Sequence, residues 1–303
     1  MSVFLKLCKV FWNQVEKSDI KNIASQTEPE GVKRVYNIPY IDDGHPLHLL
    51  DVYYPENAVG KLPVIIEIHG GGWMYGTKDL NRIYALNLAK RGYIVFNMSY
   101  RLVPEVTIYD QLRDVMSAIE FITRQFDKYP CDTDKIMLTG DSAGGMLASY
   151  AAALISSEKL RSVFGTVSPE LKLNTLLLTS PVASAKNKGI MSVYLTKMWG
   201  KNYKKAPGFN YMNFEEIAPL AEFPPTCLIT SSGDTLGLEQ TRAQAKLLEN
   251  KGVEVLLLDF PKYDGVDLPH VFSVLASDSK AGKEAIEKAL DFFRKNCVGI
   301  SNE

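Results

Sequence analysis

The sequence predicts a single α/β domain built on a mostly parallel sheet of about eight strands. Six short apolar runs are almost continuous, as expected of strands that are buried on both faces. Helical patterns fall between them, which is the arrangement that parallel crossovers require. No linker rich in proline, glycine or serine divides the 303 residues, and their 46% hydrophobic content can fill one large core.

The N-terminal part of the chain differs from the rest. Residues 1–15 carry apolar side chains at helical spacing and predict an amphipathic helix, not a secretion signal, because two lysines interrupt the run and no cleavage site follows. In residues 32–40 and 47–54, apolar and polar side chains tend to alternate, and the two segments flank the turn signal Asp42-Asp-Gly44. We therefore expect a helix followed by an antiparallel strand pair.

Buried strands and helices alternate further along the chain. The strands are predicted at residues 63–68, 93–98, 135–139, 175–179, 226–230 and 253–258. The helices are predicted at residues 79–91, 109–126, 145–157, 237–251 and 278–296. Residues 184–214 break this alternation, and so long an insertion in a compact domain is typical of a lid or a binding loop.

Composition argues against several classes of partner. The number of Lys plus Arg residues (34) nearly equals that of Asp plus Glu (35), so the chain lacks the net positive charge that is typical of a protein that binds nucleic acid or an anionic membrane. The four cysteines are far apart and show no C-x-x-C spacing, which argues against a zinc or redox site and favours free thiols in the cytoplasm. No apolar run has the length of a membrane span, so we expect no stable membrane anchor.

The segment Gly140–Gly144 contains a serine in the pattern G-x-S-x-G, directly after a strand pattern and directly before a helix of small residues. A serine at such a junction takes a strained conformation that lifts its hydroxyl clear of its neighbours. The bare pattern occurs by chance in roughly one protein of this length in ten. Other residues must therefore decide whether Ser142 is a nucleophile.

A serine nucleophile needs a base within hydrogen-bond reach, and a neutral imidazole is the usual one. The chain has four histidines. His45 and His48 belong to the N-terminal strand pair, and His69 opens a glycine-rich loop. Only His270 lies in a loop after the last strand and before the last helix, so it is the candidate base.

The base needs a carboxylate that orients it and stabilises its charged form. Asp234 follows the strand at 226–230, in a loop before a helix, and is the preferred candidate, although Asp is also a common helix cap. Four other acids compete with it: Asp259, Asp264, Asp267 and Glu239. The order Ser142, Asp234, His270 resembles that of α/β-hydrolases.

A carbonyl under attack develops negative charge on its oxygen, and preorganised N–H donors stabilise that charge. The loop from His69 to Trp73 holds three successive glycines directly after the strand at 63–68. We expect the N–H groups of Gly71, Gly72 and Ala143 to converge on one oxyanion. The alternative is a flexible turn without a catalytic role.

Five motifs together resemble those of the hormone-sensitive-lipase-like esterases within the α/β-hydrolase superfamily. They are His69-Gly-Gly-Gly-Trp73, Tyr100-Arg-Leu-Val-Pro-Glu105, Gly140-Asp-Ser-Ala-Gly-Gly145, Asp234-Thr-Leu236 and His270-Val-Phe272. The match spans residues 63–296. The resemblance implies a cytosolic carboxylesterase for short acyl chains, with a helical cap formed by about residues 1–30 and by the insertion at 184–214.

We therefore expect a serine esterase that acts on a small-molecule ester, without cofactor, metal or nucleic acid. Two alternatives stay open. The first is an amide hydrolase such as an arylformamidase, because acyl transfer to serine is common to both reactions. The second is a non-catalytic ligand receptor of the same fold, although such proteins typically lose the base and this chain keeps a candidate for it. The sequence also leaves a homo-oligomer open.

Overall fold

The computed structural model of the protein describes residues 3–184, 198–200 and 202–297. Its strands are β1 (Val32–Pro39), β2 (Leu49–Pro55), β3 (Leu62–Ile68), β4 (Ile94–Met98), β5 (Cys131–Asp141), β6 (Thr175–Thr179), β7 (Thr226–Ser231) and β8 (Val255–Phe260). The helices described are α1 (Val3–Ala24), α2 (Arg82–Lys90), α3 (Ile108–Thr123), α4 (Ser142–Ser156), α5 (Glu158–Phe164), α6 (Phe214–Ile217), α7 (Leu238–Asn250), α8 (Phe272–Leu275) and α9 (Lys280–Cys297).

The eight strands form one sheet in the order β1-β2-β4-β3-β5-β6-β7-β8. β1 and β2 pair antiparallel, as predicted, and β2 also lies antiparallel to β4. All strands from β4 to β8 in this order pair in parallel. The α/β fold with a mostly parallel sheet flanked by helices is thus confirmed.

The sheet separates two apolar cores, because successive residues of a strand point to opposite faces. Ile66 and Leu138 face one core, which they share with α3, α4, α5 and α7. Their neighbours Ile65 and Met137 face the other core, which they share with α2 and α9. Burial on both faces accounts for the continuous apolar runs in the sequence.

The structure differs from the predicted elements in extent more than in kind. α1 continues to Ala24, beyond the predicted end at residue 15, and β5 begins at Cys131 instead of residue 135. The short helix α5 was not predicted. Ser157 caps its N-terminus by accepting a hydrogen bond from the Leu160 N–H, and Gly165 caps its C-terminus in the left-handed conformation. Seven residues are too few for a clear periodic pattern.

Two further expectations concern the surroundings of the fold. Part of the insertion at 184–214 that was predicted as part of a cap, residues 185–197 and 201, lies outside the described residues. Within the described ranges, no helix has both the length and the apolar character needed to cross a membrane.

The junction of β5 and α4 is tightly packed near the carboxyl ends of the parallel strands. Ser142 begins α4 with a φ of 51°, in the left-handed region. Shortly after it, Gly144 lies so close to β3 that a Cβ there would overlap the carbonyl oxygens of Ile68 and His69. Glycine is therefore required for the helix to start beside the neighbouring strand.

Gly144→Ala should lower the free energy of unfolding by about 3 kcal/mol, because backbone must move on both sides of the contact. The matched control is Gly252→Ala, at a position with a φ of 82° where an added Cβ would have no neighbouring atom within 4 Å. It should lose only about 1–2 kcal/mol, from conformational strain. Urea denaturation of both variants measures the difference, and equal losses would contradict the packing argument.

Candidate active site

Three side chains from three separate loops meet at the carboxyl ends of the strands. Ser142 follows β5, Asp234 follows β7 and His270 follows β8. The Nε2 atom of His270 lies 2.9 Å from the Ser142 Oγ, and its Nδ1 lies 2.7 Å from the Asp234 Oδ1. The three candidates from the sequence therefore form one continuous row of hydrogen bonds.

Strand register places the glycine loop beside the serine. Ile68 of β3 pairs with Gly140 of β5, so the loop after β3 and the turn after β5 leave the sheet at the same level. Gly140 lies against the start of α4, where a Cβ would come within 2.5 Å of the Gly144 carbonyl oxygen. The two glycines of the pattern thus let strand and helix approach closely enough to present the serine.

Asp234 is fully buried and is held by the start of α7. Its Oδ1 accepts hydrogen bonds from the Leu236 N–H at 3.1 Å and the Gly237 N–H at 2.7 Å. Burial by itself raises the pKa of this carboxyl, but the hydrogen bond and positive charge of His270, together with these donors, outweigh it and lower the pKa to about 2. Asp234 therefore both caps the turn and stays ionised beside the imidazole.

The competing acids of the sequence lie in surface ion pairs. Each has a cation within 3.2 Å or less: Asp259 and Glu239 contact Arg242, Asp264 contacts Lys280, and Asp267 contacts Lys262. None of these contacts involves His270. The structure thus places only Asp234, of the five candidates, in hydrogen-bond contact with the histidine.

The remaining histidines are engaged elsewhere. His69 is buried with its Nδ1 2.7 Å from the Gly70 carbonyl oxygen, and its ring stacks on Tyr100 at 4.3 Å. Burial lowers the pKa of His69 to about 4, so it is neutral at physiological pH. His48 hydrogen-bonds to Asp43 near the β1–β2 turn.

The glycine loop has a backbone that side chains would disturb. Gly71 and Gly72 have φ values of 105° and 55°. A Cβ at Gly71 would overlap the Tyr75 carbonyl oxygen, and one at Gly72 would lie 2.6 Å from the ring of Trp12. The loop is also a tight turn, because the Gly71 carbonyl accepts hydrogen bonds from the Met74 and Tyr75 N–H groups. Trp73, the last residue of the loop, is buried in the core.

The N-terminal helix lies over this loop. Trp12 stacks on Tyr75 with 5.4 Å between ring centroids, and the Tyr75 hydroxyl donates a 2.8 Å hydrogen bond to Asp19. Burial raises the pKa of Asp19, while the Tyr75 hydrogen bond and the charge of His270 act in the opposite direction. The hydrogen bond from Tyr75 thus joins α1 to the segment that follows the glycine loop.

The same helix also contacts the segment that carries His270. The side-chain amide of Asn22, in α1, and that of Gln26, just after the end of α1, both donate to the carbonyl oxygen of Leu275, at 2.9 and 2.6 Å. Leu275 ends α8, the short helix that follows the histidine. One helix thus contacts both the glycine loop and the histidine segment.

Several polar residues of the site were not predicted. Asp141, Asn81 and Glu67 form a buried hydrogen-bonded group behind the glycine loop. Glu67 had a signal, since it interrupts an otherwise apolar strand, and Asp141 is the variable residue of the serine motif. Asn81 had none. Across the described ranges, no group of three His, Cys, Asp or Glu side chains is placed to hold a metal ion.

Comparisons with known sequences agree with an esterase fold. The BD-FAE family model matches residues 50–184. A probable isoprenylcysteine alpha-carbonyl methylesterase of Arabidopsis thaliana is 28% identical over 261 residues, covering 78% of this chain and 61% of the relative. The chain thus spans less than two thirds of that relative. A kynurenine formamidase of Drosophila melanogaster is 25% identical over 264 residues, covering 83% of this chain and 81% of the relative.

A solved structure matches almost the whole chain. Esterase B of Lactobacillus rhamnosis, inhibited with a tributyrin phosphonate, superimposes with a TM-score of 0.91 at 29% sequence identity. The superposition covers 97% of this chain and 95% of the esterase. This similarity confirms the expected fold, including the sheet and the flanking helices.

The pKa of Asp234 leads to a pH-dependent stability difference between the protein and Asp234→Asn. Because the folded pKa of about 2 lies below the ordinary 3.8, ionised Asp234 stabilises the fold above pH 3.8, and this contribution is lost as pH falls through 2. The stability advantage over Asp234→Asn should therefore shrink by roughly 2 kcal/mol between about pH 6 and pH 2. Urea denaturation at both pH values measures it, and a constant difference would contradict the assigned ion pair.

Proposed function

We propose that the chain, a member of the hormone-sensitive-lipase-like group within the α/β-hydrolase superfamily, is a carboxylic ester hydrolase that cleaves short-chain acyl esters through Ser142, His270 and Asp234. The observation that supports this most directly is the row of hydrogen bonds, 2.9 Å from serine to histidine and 2.7 Å from histidine to aspartate. These are the contacts that a nucleophile, a base and an orienting carboxylate need.

In the proposed reaction, the Ser142 Oγ attacks the ester carbonyl carbon while its proton passes to the His270 Nε2. The Asp234 carboxylate, ionised because its pKa is about 2, stabilises the imidazolium that forms. The imidazolium then gives its proton to the departing alcohol oxygen, which leaves an acyl-serine. In the second half of the reaction, His270 takes a proton from water, which attacks the acyl carbon. The imidazolium then returns the proton to the Ser142 Oγ, and the acid is released. The residues involved require neither metal nor cofactor for this chemistry.

We assign the oxyanion hole to the N–H groups of Gly71, Gly72 and Ala143. The positive φ angles of the two glycines turn successive peptide planes in a way that residues with a Cβ adopt at a cost. Ala143 follows the nucleophile at the start of α4, where N–H groups have no partner inside the helix. The dipole of α4 adds to the stabilisation of negative charge at this end.

We further propose one domain over residues 1–303, with a cap formed by about residues 1–30 and 184–214. The support is the packing of α1, whose Trp12 lies over Gly72 and whose Asn22 donates a hydrogen bond to Leu275 in the segment after His270. A cap over the serine limits the space for the substrate. Short acyl chains agree with this and with the tributyrin phosphonate that inhibits the esterase B relative.

A second candidate activity is hydrolysis of an aryl formamide. The similarity to the Drosophila kynurenine formamidase extends over 83% of this chain. Formyl transfer to serine uses the same nucleophile and base as ester cleavage. Relative kcat/KM values for p-nitrophenyl esters from acetate to decanoate and for N-formylkynurenine distinguish the two activities.

Ser142→Ala should abolish ester hydrolysis, a loss of at least about 10⁴-fold in kcat, because no other group can form the acyl-enzyme. The control is Ser156→Ala, at the far end of α4, which should keep normal kinetics. Steady-state rates with p-nitrophenyl butyrate and covalent labelling by a fluorophosphonate test this. Substantial turnover by a folded Ser142→Ala protein would refute the proposed function.

Gly72→Ala should lower kcat on the order of 10²-fold and change KM much less, because a misdirected N–H donor weakens binding of the oxyanion. The added methyl also meets Trp12, so the double variant with Trp12→Ala is needed to separate the two effects. The double variant should stay slow. If kcat instead returns to the level of Trp12→Ala alone, Gly72 serves the packing of α1 and the donor assignment is wrong.

A further inference from the structure

Three polar side chains are buried directly behind the glycine loop, and the proposed reaction uses none of them. Glu67 lies in β3, Asn81 directly before α2, and Asp141 at the end of β5. Their exposed fractions are 1%, 1% and 3%. Buried polar groups are costly unless they are paired, so such a group in the core requires a reason.

Asn81 joins the two acids. Its Nδ2 donates a 2.6 Å hydrogen bond to the Glu67 Oε1 and a 2.7 Å hydrogen bond to the Asp141 Oδ1. The same oxygen of Asp141 also accepts the Gly70 N–H at 2.9 Å. A continuous line of hydrogen bonds thus runs from β3 through Asn81 and the nucleophile turn to the first glycine of the loop.

Asn81 lies at a position where asparagine usually caps a helix, but its side chain does not act as a cap. Asn81 is the N-cap residue of α2, and asparagine is favoured there because its side chain can accept a hydrogen bond from the first turn. In this structure its backbone carbonyl accepts the Ala85 N–H, but its side chain makes no capping hydrogen bond. The amide instead points into the sheet, toward the two carboxyls.

The surroundings of the two acids favour ionisation of Asp141 over ionisation of Glu67. Burial and the neighbouring Asp141 raise the pKa of Glu67 well above its ordinary range. Burial raises the pKa of Asp141 to about 6, against the hydrogen bond from Asn81. Two adjacent buried carboxyls do not both ionise readily, and the larger upward shift of the pKa falls on Glu67, so Asp141 is the more readily ionised of the two. A charged acceptor makes the stronger hydrogen bond to the Gly70 N–H.

Asp141 also touches the loop directly. A Cβ on Gly70 would overlap the Asp141 Oδ2, so the carboxylate lies against the backbone of this residue. Gly71 and Gly72 follow at once in the chain. Any displacement of the Asp141 carboxylate is therefore passed to the peptide planes that the proposed oxyanion hole uses.

We propose that Asn81 is a positioning residue for ester hydrolysis. It holds the Asp141 carboxylate on the Gly70 N–H, with Glu67 as its second anchor, and so fixes the orientation of the Gly71 and Gly72 N–H donors. This inference rests on the proposed function of the same site. It adds a second layer of residues to that site, one that acts on the transition state without touching the substrate.

Asn81→Ala should lower kcat for p-nitrophenyl butyrate by about 10- to 100-fold and change KM by less than about threefold, because the loss concerns the oxyanion and not substrate binding. The matched control is Asn87→Ala in α2, where the lost amide binds Ser277 at 3.0 Å, far along the chain from the loop. This control should keep kcat within about twofold. A fall in melting temperature of Asn81→Ala with an unchanged kcat would show a purely structural role and overturn the proposal.

A double variant tests the mechanism and covers the case in which Asn81→Ala does not fold. The double variant Asn81→Asp with Asp141→Asn exchanges the amide and the carboxylate between positions 81 and 141. The side chain at position 141 still has an oxygen that can accept the Gly70 N–H. The double variant should recover at least about tenfold of the kcat lost in Asn81→Asp alone. No recovery in a folded double variant contradicts the proposal.

The outcome for Ser142→Ala separates this inference from the proposed function. If Ser142→Ala is inactive while Asn81→Ala and the exchange variant behave like Asn87→Ala, only the positioning role fails. If Ser142→Ala remains active, the site itself is wrongly assigned, whatever the result for Asn81.

Discussion

The left-handed backbone of Ser142 is the constraint on which the rest of the site depends. A residue with a side chain takes a φ of 51° only where its surroundings compensate for the strain. Here the compensation is close packing: Gly140 and Gly144 bring β5, α4 and β3 together with no room for a Cβ. The strained turn aims the hydroxyl away from the helix, toward the histidine that follows β8.

Environment separates the buried acids of this region into two kinds. Asp234 receives N–H donors from the start of α7 and the charge of His270, which hold its pKa at about 2. Glu67 is surrounded by apolar strand neighbours and a second carboxyl, which raise its pKa well above the ordinary value. Asp234 can thus stay ionised beside the imidazole, while ionisation of Glu67 is disfavoured. Both side chains end in the same carboxyl group, and their neighbours decide its charge.

Much of the fold and the central row of the site followed from local patterns. Buried strands are visible in a sequence because both faces demand apolar residues, and Ser142 and His270 stand out because strand-end loops carry few other reactive groups. Long-range contacts were not visible. The extent of α1 and the turn of the Asn81 side chain away from its own helix depend on partners that are distant in sequence, such as Asp141, 60 residues away. A local pattern carries no information on these.

The attachment of α1 has a thermodynamic consequence. The helix contacts the glycine loop and Tyr75 through Trp12, and it contacts the histidine segment through Asn22. The equilibrium between docked and undocked α1 therefore involves both the glycine loop and the histidine segment. If the docked helix increases affinity for an ester by some factor, a bound ester favours the docked helix by the same factor, because the coupling free energy is reciprocal. Occupancy of the site should thus be detectable at the N-terminus as slower amide hydrogen exchange in α1, without any covalent step.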